Sequence, residues 1–323
     1  MKNPLVSICC ITYNHAPFIR QALDGFLMQE APTGVERDEE WLEILVHDDA
    51  STDGTDAIIR EYASKYPTKI YPLYEQENQY SKGVIVDGFN YKRARGKYIA
   101  YCEGDDYWTD AQKLRKQVDF MESHPDYSLC FHACLSYDFR KKAYVKGEED
   151  WKERFTLAGN EGFEVTRDKT LREAFDMFPL SMVFRMSMYN LDWLDSYKGY
   201  RDTHEIYLLL REGKGYFMNF IGGTHVRHDG GVVSSRNELS ACKEAREIIR
   251  DLYVRHLDDV QLREYLKEVL VWNYDTYREA GRKGEFLRIW LSFLHDAPQV
   301  ALQSLYVILK RGIKRKCQTL ISK

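Results

Sequence analysis

The sequence predicts an α/β protein with a largely parallel, doubly wound sheet, followed by a helical extension. Apolar runs of five to seven residues alternate with segments of helical periodicity through the first half of the 323-residue chain. This alternation is typical of buried parallel strands joined by helices. From about residue 238 onward the pattern is almost entirely helical. Hydrophobic residues make up 44% of the chain, enough for one large domain with an attached helical part.

The predicted elements follow one another in a regular order. Strands are expected at Leu5–Ile11, Trp41–Val46, Ile70–Tyr74, Tyr98–Cys102 and Leu129–Tyr137. Helices are expected at Pro17–Met28, Thr55–Tyr66, Gly88–Arg95 and in the segment KLRKQVDFMES before Pro125. Residues 140–170 are charged and poorly periodic and predict a loop. A second lobe is expected from Leu171–Phe178, Ser181–Met186 and Arg201–Tyr216.

The composition excludes several classes of protein. A formal net charge of −4 argues against a nucleic-acid-binding protein. The seven cysteines lie mostly in apolar runs, which predicts reduced core thiols rather than a disulfide framework. The first residues lack the apolar segment of a signal peptide, and no stretch reaches the ~20 apolar residues of a membrane span. We therefore expect a cytoplasmic protein, soluble or peripheral to a membrane.

Two pairs of neighbouring aspartates directly follow predicted strands. Asp48-Asp49 comes after Trp41–Val46, and Asp105-Asp106 comes shortly after Tyr98–Cys102. The carboxyl ends of parallel strands meet at one edge of a sheet, where open α/β folds place their ligands. Adjacent carboxylates repel each other unless a cation or hydrogen-bond donors satisfy them. The sequence therefore predicts a site for a divalent metal and a polar, phosphorylated ligand.

Four segments carry a family resemblance, in this order: VSICCITYNHAPFIRQALDGFLMQ, LEILVHDDASTDGT, RARGKYIAYCEGDDYW and KLRKQVDFM. Together they resemble the nucleotide-sugar half of family-2 glycosyltransferases with the GT-A fold, a Rossmann-like, mostly parallel mixed sheet flanked by helices. The resemblance covers residues 4–130 well and 170–235 more loosely, and is greatest to bacterial enzymes of cell-wall, capsule or lipopolysaccharide assembly. It implies a catalytic domain over 1–235, with a nucleotide-sugar half (1–130) and an acceptor half (131–235), and a helical extension over 236–323.

On the donor side, the resemblance implies nucleotide-sugar binding by residues after three of the strands: Thr12, Tyr13, Asn14, Asp48, Asp49, Glu103, Gly104 and Asp105. Asp49 is expected to meet the base. Asp105 is expected to ligate Mn²⁺ or Mg²⁺ at the diphosphate, with Asp106 as a further candidate ligand. Glu103 stands where the family usually has Asp, and is expected to reach the ribose or a metal-bound water.

On the acceptor side, the segment YRDTHEIYLLLREGKGYF resembles the family motif that supplies the general base. The alignment gives this role to Asp202, with Glu205 as the alternative, although an acidic residue in a first helical turn is also favoured by the helix dipole. GTHVRHDGGVVSS resembles a downstream loop whose His228 is expected to contact the diphosphate or the metal. The Tyr-Arg pair of that loop reads His225-Val226 here, which leaves a phosphate role for Arg227 unsupported.

These features predict a metal-dependent, inverting glycosyltransferase (a hexosyltransferase) of bacterial surface polysaccharide synthesis. The donor is expected to be a nucleoside-diphosphate sugar, UDP-linked rather than GDP- or dTDP-linked. The acceptor is expected to be a hydroxyl of a glycan or a lipid-linked oligosaccharide. Two alternatives remain: a sugar-nucleotide nucleotidyltransferase, although the Gly-rich basic loop typical of that class is missing after Ile11, and a catalytically silent scaffold of a polysaccharide assembly complex.

The end of the chain combines an apolar helical pattern with basic residues. After Pro298, apolar residues recur at helical spacing from Leu302 to Ile313, and five lysines and arginines crowd the stretch 310–316. A basic amphipathic helix of this kind can lie in a membrane interface that presents anionic lipids. One interpretation is a peripheral contact of 299–323 with the inner face of the plasma membrane. The other is a helix that packs on the catalytic domain and ends in a solvated basic tail.

Overall fold

The computed structural model describes residues 3–35, 41–146, 162–168, 177–197, 199–231 and 237–321, with the backbone alone at 146 and 312–321. The chain separates into two compact units, Met1–Asp229 and Gly230–Lys323. The first is a sheet with flanking helices, and the second is helical in all its described elements.

The first unit contains one mixed sheet of ten described strands: β1 (Val6–Thr12), β2 (Leu42–Asp48), β3 (Ile70–Tyr74), β4 (Tyr98–Glu103), β5 (Tyr107–Trp108), β6 (Tyr127–Asp138), β7 (Ala143–Lys146), β8 (Gly162–Val165), β9 (Val183–Arg185) and β10 (Lys214–Arg227). Their order is β3-β2-β1-β4-β9-β6-β10-β5, with β7 paired to β6 and β8 paired to β10. Strands β3, β2, β1 and β4 run parallel, as do β6 and β10, whereas β9 lies antiparallel to both of its neighbours.

Helices cover this sheet and form the second unit. The first unit contains α1 (Ile19–Leu27), α2 (Thr55–Lys65), α3 (Asp87–Tyr91), α4 (Lys113–Ser123), α5 (Trp193–Ser196) and α6 (Asp202–Glu212). The second contains α7 (Glu238–Arg255), α8 (Val260–Glu279), α9 (Lys283–Asp296) and α10 (Pro298–Ile321). None of the described helices combines the length and the apolarity that crossing a bilayer requires.

The core of the first unit explains why its strands form where the apolar runs predict them. Ile8, Val46 and Ala100 of the central parallel strands are buried, and they share one hydrophobic cluster with Leu23 and Phe26 of α1. Each central strand has its apolar side chains enclosed, so the runs are continuous rather than alternating. The predicted fold class, a mixed sheet flanked by helices with helices at the carboxyl-terminal end, is confirmed.

Some predicted elements differ from the structure. The described part of residues 140–170 contains two strands, β7 and β8, where the sequence predicts a loop. Both are four-residue edge strands without strong hydrophobic alternation, and the sheet specifies them more than their own sequence does. The helix predicted at Gly88–Arg95 is the shorter Asp87–Tyr91. Most of the predicted element Leu171–Phe178 lies outside the described residues.

The second unit has its own small core and clear helix starts. Asn237 and Asp259 accept hydrogen bonds from backbone amides in the first turns of α7 and α8, which satisfies donors that a helix start leaves free. Buried hydrophobic side chains from all four helices form one cluster: Cys242, Val271, Tyr277, Phe286 and Ile308. Each helix therefore contributes to a single packed core.

Candidate functional site

The predicted site residues of three strands meet at one edge of the sheet. Strand β1 lies between β2 and β4, and Thr12 at its end is in register with Asp48. Ile11 is in register with Glu103 of β4, and its carbonyl accepts a hydrogen bond from the Gly104 amide at 2.9 Å. The acidic pairs predicted from the sequence therefore flank the end of β1 on its two sides, as expected for carboxyl ends of parallel strands.

The loop after β1 is held in place by the loop after β2. Asn14 adopts a left-handed backbone conformation with φ of 56°, which asparagine tolerates better than most residues. Its side-chain oxygen accepts a hydrogen bond from Thr52 N at 2.8 Å, and the amide of His15 donates to Thr55 Oγ1 at 2.9 Å. Tyr13 is 43% exposed beside them. The loop is thus fixed, with one aromatic ring free to meet a ligand.

Asp48 and Asp49 are both buried and both hydrogen-bonded to the protein. Asp48 accepts from the Ser51 hydroxyl at 2.5 Å, and burial raises its pKa despite this bond. The two oxygens of Asp49 accept from the backbone amides of Gln79 at 2.7 Å and Tyr80 at 3.0 Å. In this arrangement Asp49 shapes the loop after β3. Any contact with a base uses the lone pairs that these two bonds leave free.

The acidic turn after β4 holds three carboxylates in different environments. Burial, together with the charges of Asp105 and Asp106, raises the pKa of Glu103 well above its usual range. Burial alone would also raise the pKa of Asp105, but a hydrogen bond from His228 and the nearby His15 outweigh it, so that pKa is lowered. The group that stays an anion most readily is therefore Asp105.

Asp105 is surrounded by two histidines from distant parts of the chain. His228 Nε2 lies 2.9 Å from Asp105 Oδ2, and His15 Nε2 lies 3.7 Å from the same oxygen. Within the described residues this is a group whose ligand atoms all lie within 4.8 Å of one another, close enough to hold a metal ion. Asp105 Oδ1 and His15 Nδ1 are buried and have no hydrogen-bond partner among these residues. The carboxylate suits Mn²⁺ or Mg²⁺, and the two imidazoles favour a transition metal over Mg²⁺, so the residues fit Mn²⁺ better than Mg²⁺.

Asp106 has a different role from its neighbour. Its Oδ1 accepts a hydrogen bond from the Val226 amide at 2.8 Å and lies 3.1 Å from His225 Nδ1. Burial favours a lowered pKa for His225, but the charge and hydrogen bond of Asp106 outweigh it and raise that pKa. Asp106 lies outside the histidine–aspartate group, and its hydrogen bonds link β10 to the acidic turn. His228 then follows one residue after β10 ends.

Gly104 is required by close packing inside this turn. A Cβ at this position would lie 2.7 Å from Thr12 Oγ1 and 3.0 Å from Ile19 Cδ1, shorter than van der Waals contact allows. Thr12 Oγ1 is itself buried without a hydrogen-bond partner in the described part of the chain. The glycine thus lets the acidic turn approach the end of β1, and an orphaned hydroxyl lies at the contact.

The two candidate bases on α6 have contrasting environments. Asp202, the first residue of the helix, is exposed, and its Oδ1 accepts from the Thr203 amide at 2.8 Å. It lies close enough to Glu103 to contribute to the raised pKa of that carboxyl. Glu205 is only 5% exposed and accepts from the Tyr91 hydroxyl at 3.3 Å. Burial, reinforced by Asp87, raises the pKa of Glu205 well above its usual range. Asp202 is therefore accessible to solvent, whereas Glu205 is almost fully enclosed.

Sequence reasoning did not select His15 or His225 as site residues. His15 follows directly after the predicted Thr12–Asn14 loop. Its position after a central strand is a feature of the sequence that could have identified it as a site residue. His225 was noted only because it replaces the tyrosine of the resembled loop. The contact of His225 with Asp106 depends on the pairing of β5 with β10, in which Tyr107 is in register with Thr224. No local sequence pattern predicts this pairing.

Curated relatives match about two fifths of the chain. An uncharacterized protein of Mycobacterium tuberculosis is 46% identical over 127 residues, covering 39% of this chain and 34% of that protein. The putative teichuronic acid biosynthesis glycosyltransferase TuaG of Bacillus subtilis is 35% identical over 118 residues, covering 36% of this chain and 42% of TuaG. The Escherichia coli UDP-Glc:alpha-D-GlcNAc-diphosphoundecaprenol beta-1,3-glucosyltransferase WfaP is 32% identical over 136 residues, covering 42% and 48%. The chain thus spans a third to a half of the length of these relatives.

Solved structures with the same fold cover nearly the whole chain. A crystal structure of Staphylococcus aureus TarS residues 1–349 with UDP-GlcNAc matches with a TM-score of 0.62 and 17% identity, covering 91% of this chain and 82% of that one. The mannosyltransferase PcManGT of Pyrobaculum calidifontis, in complex with GDP-Man and Mn²⁺, matches with a TM-score of 0.54 and 15% identity, covering 96% and 88%. The family model of glycosyl transferase family 2 matches residues 7–191, more than half of the chain. The chain belongs to glycosyl transferase family 2 and has the GT-A fold.

Proposed function

We propose that this protein is a metal-dependent, inverting glycosyltransferase of bacterial surface polysaccharide synthesis. In this proposal it transfers a sugar from a nucleoside-diphosphate sugar, UDP-linked in the first instance, to a hydroxyl of a glycan or a lipid-linked oligosaccharide. The observation that carries the proposal is the meeting of Asp105, His228 and His15 at the carboxyl edge of the sheet, with the exposed carboxylate of Asp202 on the neighbouring helix.

The donor site follows from the loops after β1, β2 and β4. Tyr13 offers an exposed ring to a base, and Thr12 offers a buried hydroxyl without a partner among the described residues. Asp105, His228 and His15 would hold Mn²⁺ or Mg²⁺ against the diphosphate. A cation bound there would neutralise the charge that develops on the departing diphosphate. Glu103, at the end of β4, can hydrogen-bond to a ribose hydroxyl or to a metal-bound water.

The acceptor side follows from Asp202. As the acceptor hydroxyl attacks the anomeric carbon in line with the departing diphosphate, its proton passes to the Asp202 carboxylate. One C–O bond forms while the bond to the diphosphate breaks, so the anomeric configuration inverts and no covalent enzyme intermediate arises. An acidic residue in the first turn of α6 also interacts favourably with the helix dipole.

The names of relatives support the choice of substrates. By its name, WfaP transfers glucose from UDP-Glc to a GlcNAc that is linked to diphosphoundecaprenol. TuaG is named for teichuronic acid biosynthesis. TarS is solved with UDP-GlcNAc and PcManGT with GDP-Man and Mn²⁺. These proteins favour a nucleoside-diphosphate donor and a cell-surface glycan acceptor for this chain.

The test is a panel of UDP-, GDP- and dTDP-sugars, scored by thermal stabilisation with and without Mn²⁺ and then by transfer to lipid-linked and soluble glycan acceptors. A ligand that prefers the folded state must raise the melting temperature. We expect one sugar nucleotide to stabilise the wild type only with Mn²⁺, and Asp105→Ala to lose this response. Formation of pyrophosphate from a sugar phosphate and a nucleoside triphosphate, or no binding of any nucleotide or Mn²⁺, would refute the proposal.

A further inference from the structure

The last two helices carry an apolar surface that the other described helices of their unit leave uncovered. Six large apolar side chains there are 38–66% exposed: Leu287, Leu291 and Leu294 on α9, and Leu302, Tyr306 and Leu309 on α10. Both triplets have the spacing i, i+4, i+7, which places each on a single stripe of its helix. We call these six residues the α9–α10 face.

This face is separate from the core of the helical unit. Helix α9 buries Phe286 and Phe293 instead, and α10 buries Ala301 and Ile308. The two helices pack against each other, and Trp290 Nε1 donates a hydrogen bond to the Ala301 carbonyl at 3.0 Å. Leu291 and Leu302 each follow directly after a residue of that contact. The two stripes therefore border the same helix–helix seam, and soluble monomers rarely expose a grouped set of apolar side chains of this size without a function.

The charge of the adjoining segment indicates what covers the face. From Ala297 to the end the sequence contains six lysines and arginines and no aspartate or glutamate, on a chain whose formal net charge is −4. Helix α10 continues without interruption to Ile321, so most of these cations extend from the same helix that carries half of the face. Lys310 and Arg311 are exposed beside Leu309. An apolar stripe continued by concentrated positive charge matches an anionic lipid surface, which attracts polybasic segments and accepts leucines at its acyl boundary.

A second copy of the chain fits the face less well. A two-fold symmetric dimer brings the same surface patch of both subunits together. It would therefore place two segments with six cations each, and no acidic residue, near one another. Such like-charge contacts are unfavourable, whereas phosphate head groups neutralise them.

We propose that the α9–α10 face docks this protein onto the surface of an anionic lipid bilayer. The six apolar side chains enter the boundary between head groups and acyl chains, and the cations of α10 lie over the lipid phosphates. The contact is interfacial, because none of the described helices is long and apolar enough to span the bilayer. It extends over α9 as well as the terminal helix, and it does not depend on the proposed transfer reaction.

The test is co-sedimentation of the full chain with vesicles of phosphatidylcholine alone and with vesicles in which about a third of the lipid is phosphatidylglycerol. We expect binding to the anionic vesicles, little binding to phosphatidylcholine, and release as added salt shortens the Debye length to about 3 Å. The variant Leu291→Ser/Leu302→Ser/Leu309→Ser should bind vesicles more than about tenfold more weakly, because the burial of each leucine among the acyl chains adds to the binding free energy. Lys310→Gln/Lys314→Gln should lose about fivefold for each cation removed.

The matched control is Leu257→Ser/Val260→Ser, which removes apolar side chains that are 62% and 56% exposed elsewhere in the same unit. It should bind vesicles like the wild type, and both serine variants should keep the wild-type melting temperature because the side chains that they change are exposed. Three results would overturn the proposal: no binding of the wild type to anionic vesicles, equal loss in the control variant, or a wild-type dimer in vesicle-free solution that the triple serine variant abolishes. The last result would assign the face to a second copy.

Discussion

Removal of the His15 imidazole tests the metal group most sharply, because the sequence motifs alone did not point to this residue. In His15→Ala, Asp105 and His228 remain as protein ligands, and the loop after β1 keeps its backbone hydrogen bonds. The buried Nδ1 of His15 has no partner among the described residues. The substitution therefore breaks no side-chain hydrogen bond at that atom, and its main effect should fall on metal binding.

The magnitude follows from the geometry. Ligand atoms about 2.1 Å from one ion lie at most about 4.2 Å apart. The three candidate ligand atoms lie within 4.8 Å of one another, so shifts of a few tenths of an ångström close them around a cation. Loss of a residue that only supports a ligand typically costs 10–100-fold in metal affinity. Loss of a direct ligand should cost at least tenfold, or about 1.4 kcal/mol.

The assay is calorimetric titration of Mn²⁺ into the wild type and the variants, with and without UDP. His15→Ala should raise the Kd at least tenfold, and Asp105→Ala should abolish binding. His295→Ala is the matched control, since that side chain is 93% exposed in the other unit, and its Kd should equal that of the wild type. A wild-type Kd in His15→Ala, together with loss of binding in Asp105→Ala, would show that the ion does not use His15.

Three further predictions concern the base, the acidic turn and a buried amine. Asp202→Asn should lower kcat about 10²- to 10⁴-fold and leave the donor Kd unchanged; retained turnover would exclude Asp202 as the base. Gly104→Ala should destabilise the protein by about 1–3 kcal/mol in urea unfolding, because its Cβ would lie 2.7 Å from Thr12 Oγ1; a wild-type midpoint would contradict the close packing. Burial lowers the pKa of Lys113 to about 7. Between pH 7 and pH 9 the unfolded chain therefore holds this proton more tightly than the folded one, and the free energy of unfolding of the wild type should rise by about 2 kcal/mol. Lys113→Met should remove that rise, whereas Lys97→Met, at an exposed residue, should keep it; equal pH profiles of both variants would refute the assignment.

The parallel half of the fold could be predicted because its sequence is locally consistent. Ile70–Tyr74 has the bounds that the apolar run predicted, and β1, β2 and β4 differ from their predictions by one or two residues at an end. Strands β1, β2 and β4 are buried along nearly their whole length, so their apolar residues are contiguous and easy to recognise. The acidic residues after them needed only the rule that parallel strands end at a common edge.

The half of the sheet that mixes parallel and antiparallel pairs could not be predicted in the same way, and β10 shows why. This strand of fourteen residues contains Gly222 and Gly223, and glycine ordinarily argues against a strand interior. Here a Cβ at Gly222 would lie 2.7 Å from the His132 ring, and one at Gly223 would lie 2.6 Å from Leu180 Cδ1. The glycines are therefore set by partners 90 and 43 residues away in the chain, and no window of sequence contains both sides of these contacts.

The sequence predicted which acidic residues lie near the site, but not which partner each of them has. Asp48, Asp49, Asp105 and Asp106 were all expected near the ligand. The structure brings Asp105 together with two histidines, while the other three carboxylates bond to Ser51, to the amides of Gln79 and Tyr80, and to β10, respectively. Neighbouring aspartates look equivalent in a sequence, and only their three-dimensional partners distinguish them.

The anchoring of β10 by Asp106 has a consequence for how such a protein can diversify. His228 owes its place to a strand paired along its length with β6, paired at its start with β8 and bonded to the acidic turn. Sequence between β6 and β9 can therefore change over evolutionary time while the histidine stays opposite Asp105, provided that β8 and Leu180, which packs against Gly223, are kept. Under the proposed function, a lineage can thus explore new acceptors on an inherited donor site, and chimaeras that exchange residues 141–161 between relatives should retain sugar-nucleotide binding.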